Sequence, residues 1–195
     1  MTLKENIAAV ADALDREETA YSAAEVQTRK IIRKTKKAIH GIHLGQRDPE
    51  LIDSIAADLA SLTETVSRIP RVLWGPAIEG AMSEFAETVL YDQALRGEDL
   101  ISYDELDVTP SAWVCGLADA VGELRRDLLS AISAGDLERA GTIFETMEEM
   151  SDALMELDVR DTVAPVRRKQ DICRGIMDRS RGDFTTAVML DRVSD

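Results

Sequence analysis

Apolar residues return every third or fourth position along almost the whole chain, and that rhythm commits it to helices. Between 3 and 44 the stripe runs Leu3, Ile7, Val10 and Leu14, then Ile31, Thr35, Ile39 and Ile42, as one long helix or a closely joined pair ending at Gly45. Asp48-Pro49 supplies a capping side chain and a proline at the first helical position. The stripe behind it is Leu51, Ile55, Leu59, Leu62, Val66 and Ile69, broken by Pro70 and by Gly75-Pro76. A third helix is expected from about Ala77 to Arg96, stopped by Gly97, followed by a polar connector over 98–108. Thr109-Pro110 opens a fourth that ends near Gly135, Asp136 caps a fifth, and a last one begins near Pro165 with room to continue past Gly182. No stretch alternates as a strand would. The expectation is an all-α chain of six or seven helices in a bundle, with residues 1–195 as one domain.

Composition narrows the function classes. No segment approaches 18 uninterrupted apolar residues, so no membrane span is expected. The first residues, Met1-Thr2-Leu3-Lys4-Glu5-Asn6, lack the basic-then-apolar layout of a secretory signal, which points to the cytoplasm. Cys115 and Cys173 stand alone, without metal spacing, and are expected as reduced thiols. The net charge is −14, from 37 acids against 23 bases, and the surface this implies is similar to that of proteins adapted to high salt. Such a chain repels nucleic acid unless its positive charge is gathered in one place.

It is gathered. Arg29, Lys30, Arg33, Lys34, Lys36 and Lys37 fall within one helix, and four of the chain's six lysines are among them. At the helical angle these six cover an arc of about 160°, with Ile31, Ile32, Ala38, Ile39 and Ile42 on the other side. Such a face either is solvated and paired with acids of neighbouring subunits, or grips a phosphate backbone by salt-sensitive contacts. His40 and His43 follow on the same helix, with no third soft metal ligand in evidence.

Four carboxylates carry the chemical signal. Glu84 and Glu87 share a ridge of the third helix with Ala77, Gly80 and Tyr91; Asp119 and Glu123 share a ridge of the fourth with Ala112, Gly116 and Arg126. Random placement of 37 acids gives roughly seven pairs at i, i+3, so spacing alone says little. Context says more. Small residues lead into the acids on both ridges, and Gly116 and Gly122 each cost a helix about 1 kcal/mol against alanine. Close helix approach or room for a ligand explains them. If the two ridges face each other, four hard oxygen donors suit Mg²⁺ or Mn²⁺. The bland alternative is a set of interhelical ion pairs with Arg125, Arg126 and Arg167.

The run Trp113-Val114-Cys115-Gly116-Leu117-Ala118-Asp119-Ala120-Val121-Gly122-Glu123-Leu124-Arg125-Arg126 resembles the translin family signature, of the form YLxGLADxxGELxR. The likeness extends to Glu84-Phe85-Ala86-Glu87, to Ile39-His40-Gly41-Ile42-His43, to Gly135-Asp136, and to Val166-Arg167-Arg168-Lys169-Gln170-Asp171, which is similar to the family's LRRKxD. The short connectors and Arg181-Gly182-Asp183 look most like archaeal members. Trp113 stands where tyrosine is usual, Cys115 where a small or aliphatic residue is, and Ser151 where tyrosine is common. None of these touches the four acids.

The resemblance implies an all-α subunit of a closed homo-oligomer, an octamer, that encloses single-stranded RNA or single-stranded DNA. Members of the translin kind bind nucleic acid and lack part of the acidic set. Those of the associated-factor-X kind carry the full set and act as endoribonucleases. The complete quartet here, Glu84, Glu87, Asp119 and Glu123, is similar to the second kind and implies catalysis and Mg²⁺ or Mn²⁺ binding at those four. Arg29, Lys30, Arg33, Lys34, Lys36 and Lys37 are expected to draw in the nucleic acid, with Arg126, one turn past Glu123, meeting charge at the reacting phosphate. The rivals are a non-catalytic nucleic-acid binder, and an all-α nucleotide pyrophosphatase, whose second acid motif usually reads ExxD where Asp119 and Glu123 are spaced i, i+4.

Overall fold

A computed structural model describes residues 1–194, and among these every regular element is a helix. α1 is one continuous helix, Leu3–His43. Thr2 starts it with a reciprocal capping box, accepting from the Glu5 amide while Glu5 accepts from the Thr2 amide. Gly45, at φ 68°, ends it by letting the Gln46 amide reach back to the Gly41 carbonyl at 2.8 Å. α2, Pro49–Val66, is capped by Asp48 through the Leu51 amide. The break at Pro70 is filled by a single turn, α3, Pro70–Leu73. α4 therefore spans Pro76–Leu95, the third long helix expected from the sequence. α5, Pro110–Ser133, is capped by Thr109. α6, Leu137–Met155, is capped by Asp136, and α7 runs Val166–Ser194, straight through Gly182.

α5 is the central rod. It packs on α4, α6 and α7, while α4 also packs on α1 and α2. Leu117, Val121, Leu124 and Leu128 are buried along it, as the spacing predicts, and the α2 stripe from Ile55 to Val66 is buried as well. Ala112, Gly116 and Ala120 are buried too, against α4. The connector before α5 is pinned at Ile101, through both its carbonyl and its amide. The Trp113 indole donates to the Ile101 carbonyl at 2.9 Å, and the Ile101 amide donates to Gln93 at 3.0 Å.

α1 departs from a simple bundle helix. Its stripe is buried only from Ala24 onward. Ahead of that point Leu3, Ile7, Val10 and Leu14 continue the same face but stand 78, 61, 54 and 54% exposed. The start of α1 is an arm: among the described residues nothing covers Leu3, Ile7 and Val10, and α1 comes alongside Arg71 and Val72 of α3 only from Leu14 onward. Among the described residues no helix is long and apolar enough to cross a membrane.

Candidate functional site: an acid cluster walled by α1 and α7

The crossing of α4 and α5 sets the site. At Gly116 a β-carbon would stand 2.6 Å from the Glu87 amide nitrogen and 2.7 Å from the Ala86 Cβ, so no larger residue fits. Close approach at that point lays the Glu84–Glu87 ridge beside the Asp119–Glu123 ridge. Gly122 is different: its nearest would-be neighbour is Ile176 Cδ1 of α7, at 3.7 Å, an ordinary contact.

The four acids share one neighbourhood. Burial pushes the Glu87 carboxyl up to about 8, helped by the negative charges of Asp119, Glu84 and Glu123 and opposed by Lys169. Glu84 Oε2 lies 3.5 Å from the Thr35 hydroxyl of α1. Neither oxygen of Glu87 has a hydrogen-bond partner among the described residues, and Oε1 of Glu84 and of Glu123 likewise has none.

The other oxygens are taken, by Arg126 and by two residues to which the sequence assigned no role at the acids, Lys169 and His43. Lys169 of α7 donates to both Asp119 oxygens at 2.6 Å. Glu123 Oε2 lies 2.5 Å from His43 Nε2 and accepts from Arg126 Nη1 at 2.9 Å. Of the three arginines expected as possible ion-pair partners, only Arg126 serves. Arg125 reaches away to Ser180 and Asp183 on α7, and Arg167 pairs loosely with Asp158. With Asp119 and Glu123 held this way, no group of three or more His, Cys, Asp or Glu among the described residues closes into a ready metal cage. The donor set still fits a hard cation. It is all carboxylate oxygen, several of its oxygens lack a protein partner, and the charges of the neighbouring acids add to burial in raising Glu87. Asp119 joins a cage only if Lys169 lets go.

His43 joins the acid cluster, where sequence reasoning gave it no role. Its Nδ1 lies 3.0 Å from Asp127 Oδ2 and 2.8 Å from the Tyr91 hydroxyl, which itself donates to Asp127 at 2.5 Å. Burial first, then this hydrogen bond to Asp127, hold the Tyr91 phenol well above its ordinary range. His40, three residues earlier, is exposed, so the two histidines do not act as a pair. Both cysteines are free, and burial pushes the Cys173 thiol up to about 11, which makes it a poor nucleophile.

The basic stripe lies on the outer side of α1, the helix whose inner side supplies Thr35 and His43 to the acids. Its six members are not equivalent. Lys34 is held by Asp58 at 2.7 Å and Ser54 at 3.2 Å, Lys30 lies 3.9 Å from Asp58, and Arg29 turns to Glu25 of its own helix. Arg33, Lys36 and Lys37 are exposed and have no acidic partner among the described residues. Lys36 precedes His43 by seven residues, which sets it about 20° around the helix and about 10 Å along it from the wall of the acid cluster. Arg126, 61% exposed, stands at the cluster's edge on the opposite helix.

Comparison with known proteins agrees with this architecture. The Translin family model matches residues 3–178. An uncharacterised protein of Methanocaldococcus jannaschii is 31% identical over 166 residues, a match covering 83% of this chain and 73% of that protein. The AfC3PO chain from its complex with duplex RNA is similar with a TM-score of 0.87 and 27% identity, over 97% of this chain and 100% of that one. AfC3PO crystallised on its own gives 0.85 at 27% identity, over 95% and 98%. Apo-NeC3PO, at 16% identity and a TM-score of 0.80 over 96% and 98%, shares the fold.

Proposed function

The chain belongs to the translin family, and on that premise we propose that it is a divalent-metal-dependent endoribonuclease: it binds RNA along α1 and cuts it at the acid cluster between α4 and α5. The observation that carries the reading is the crowding of Glu87 by Asp119, Glu84 and Glu123 in a cluster that keeps carboxylate oxygens without protein partners. Glu84, Glu87 and Glu123 would hold Mg²⁺ or Mn²⁺, with Asp119 joining when Lys169 is displaced. The ion would polarise a phosphoryl oxygen and acidify an attacking water.

The chain's own residues do the rest. Arg33, Lys36 and Lys37 neutralise backbone phosphates and lead the strand along α1 toward the cluster. Arg126 steadies Glu123 with one guanidinium nitrogen and keeps its other donors at the cluster's edge, where charge develops on the phosphate. Lys169, freed from Asp119, would stand beside the same phosphate. An RNA-binding role is supported by AfC3PO, a relative of the same fold whose complex holds duplex RNA.

Assembly into a closed homo-oligomer, an octamer, belongs to this reading. The uncovered face of the α1 arm supports it, since four large apolar side chains in line are more than a monomer ordinarily exposes in one strip.

A second reading, a non-catalytic RNA or single-stranded DNA binder, is favoured by one specific observation. Asp119 and Glu123 already have cationic partners within the chain. Labelled single-stranded and duplex RNA, incubated with the pure protein in Mg²⁺, Mn²⁺ or EDTA, separates the two. Cutting that needs the metal supports the enzyme, and retention of intact RNA under every condition supports the binder.

A further inference from the structure

His43 has no part in the cleavage chemistry of the acid cluster. It stands between the acid cluster and a buried polar pair. Its side chain is only 10% exposed, Asp127 behind it is 5% exposed, and Tyr91 is fully buried. Three helices meet there: His43 from α1, Tyr91 from α4 and Asp127 from α5. Buried groups of this kind are costly unless every member finds a partner, and here every one does. Asp127 accepts from the Tyr91 hydroxyl, faces His43 Nδ1, and has the Arg139 guanidinium 4.0 Å from its other oxygen. The His43 and Tyr91 rings, 5.1 Å apart between centroids, brace each other. The imidazole is left a single orientation, with Nε2 aimed at Glu123.

The consequence falls on Glu123. His43 and Arg126 both engage Oε2, which leaves Oε1 as that side chain's free donor. Arg126 is mostly exposed and can swing away; His43 cannot. We infer that His43, locked by Asp127 and Tyr91, is the positioning residue that holds Glu123 with Oε1 available to the acid cluster, in the way an outer carboxylate–histidine pair orients a metal ligand. This rests on the reading that the cluster takes a divalent ion. His43 itself is walled in behind Glu123 and touches neither RNA nor the reacting phosphate.

The test uses the full-length protein stripped with EDTA, as wild type, His43→Ala, His43→Gln and Tyr91→Phe. Mn²⁺ binding is followed by the EPR signal of the free ion, RNA binding is measured in EDTA, and steady-state cleavage is measured with Mn²⁺. His43→Ala is expected to weaken Mn²⁺ binding by about tenfold or more and to lower kcat by a similar factor. KM for RNA and RNA binding in EDTA should stay at wild-type values, which a general loss of structure would not allow. Tyr91→Phe, which removes one hydroxyl, gives a smaller loss in the same direction. His43→Gln, whose amide can still donate to Glu123, recovers part of the Mn²⁺ affinity.

If wild type binds Mn²⁺ and cuts RNA, and folded His43→Ala matches it in both, this inference falls and the nuclease reading stands. If wild type binds no Mn²⁺, both fall together. Should His43→Ala fail to fold, Tyr91→Phe decides: wild-type Mn²⁺ affinity in that variant overturns the inference.

Discussion

Gly116 of α5 sits so close to Glu87 of α4 that a β-carbon added to it would lie 2.6 Å from the Glu87 amide nitrogen. That contact is what turns two acidic ridges into one cluster, and it ties the packing of the core directly to the chemistry of the site.

The two helix glycines of the signature run should therefore behave in opposite ways. Gly116→Ala forces α4 and α5 apart and costs about 1–3 kcal/mol, which in a chain of this size lowers Tm by about 2–4 °C per kcal/mol. It should also cut Mn²⁺ affinity and RNA cleavage, because it moves Glu87. Gly122→Ala meets only an ordinary contact with Ile176 and gains helix propensity, so it should be neutral or stabilising by up to about 1 kcal/mol. Thermal melts of the two variants check this.

Glu87 makes the metal-free protein sensitive to alkali. Its carboxyl rises from the ordinary 4.5 to about 8 in the fold, so the folded state favours the protonated form. That contribution to stability is complete below about 4.5 and is lost as pH climbs through 8. Glu87→Gln keeps it. In EDTA the Tm advantage of Glu87→Gln over wild type should be near zero at acidic pH and grow to on the order of 10 °C above the raised value. Added Mg²⁺ should close the gap by stabilising the ionised wild-type cluster. Melts across pH, with and without the ion, read both effects.

The basic stripe should divide into working and structural members. Replacing Arg33, Lys36 and Lys37 together with alanine should weaken RNA binding and flatten the slope of log affinity against log salt by about 2–3. Lys34→Ala should change that slope far less, because Lys34 is engaged by Asp58 and Ser54. It should instead cost stability, since it leaves Asp58 half-buried with only the distant Lys30 for compensation. Filter binding over a salt series distinguishes the two groups.

What could be read from the sequence was whatever is local along the chain. Helix ends were legible because prolines, glycines and capping side chains mark them within a few residues: Asp48-Pro49, Thr109-Pro110 and Gly135-Asp136 all sit where the structure starts or stops a helix. Pro70 breaks the stripe in the sequence yet opens a one-turn helix, since proline is at home in a first turn. The acid ridges and the basic stripe follow from helical spacing in the same way. The partners of the acids do not. His43 meets Glu123 across 80 residues of sequence and Lys169 meets Asp119 across 50, and no periodicity announces such pairs. Lys169 was legible only as part of a family motif, not as the counter-ion of Asp119. The stripe of α1 also hid a distinction: Leu3, Ile7, Val10 and Leu14 have the same spacing as the buried Ile31 and Ile39, yet spacing cannot say where the neighbouring elements end.

That exposed arm carries its own prediction. Ile7→Glu with Val10→Glu should leave the helix content of the subunit unchanged, because both residues are exposed within one chain. If the arm joins subunits, light scattering on a sizing column should show a smaller assembly for the variant than for wild type. An unchanged mass would remove the arm from the assembly.

The acid cluster should cut RNA only with the help of a divalent ion. The most direct measurement is the single-turnover cleavage of end-labelled RNA, at saturating protein and in Mg²⁺, by wild type and Glu123→Ala. Wild type should cut and stop cutting in EDTA, and Glu123→Ala should be slower by about a hundredfold or more while holding the RNA as tightly. Cleavage by wild type that persists in EDTA, or a Glu123→Ala variant that cuts at the wild-type rate, would contradict it.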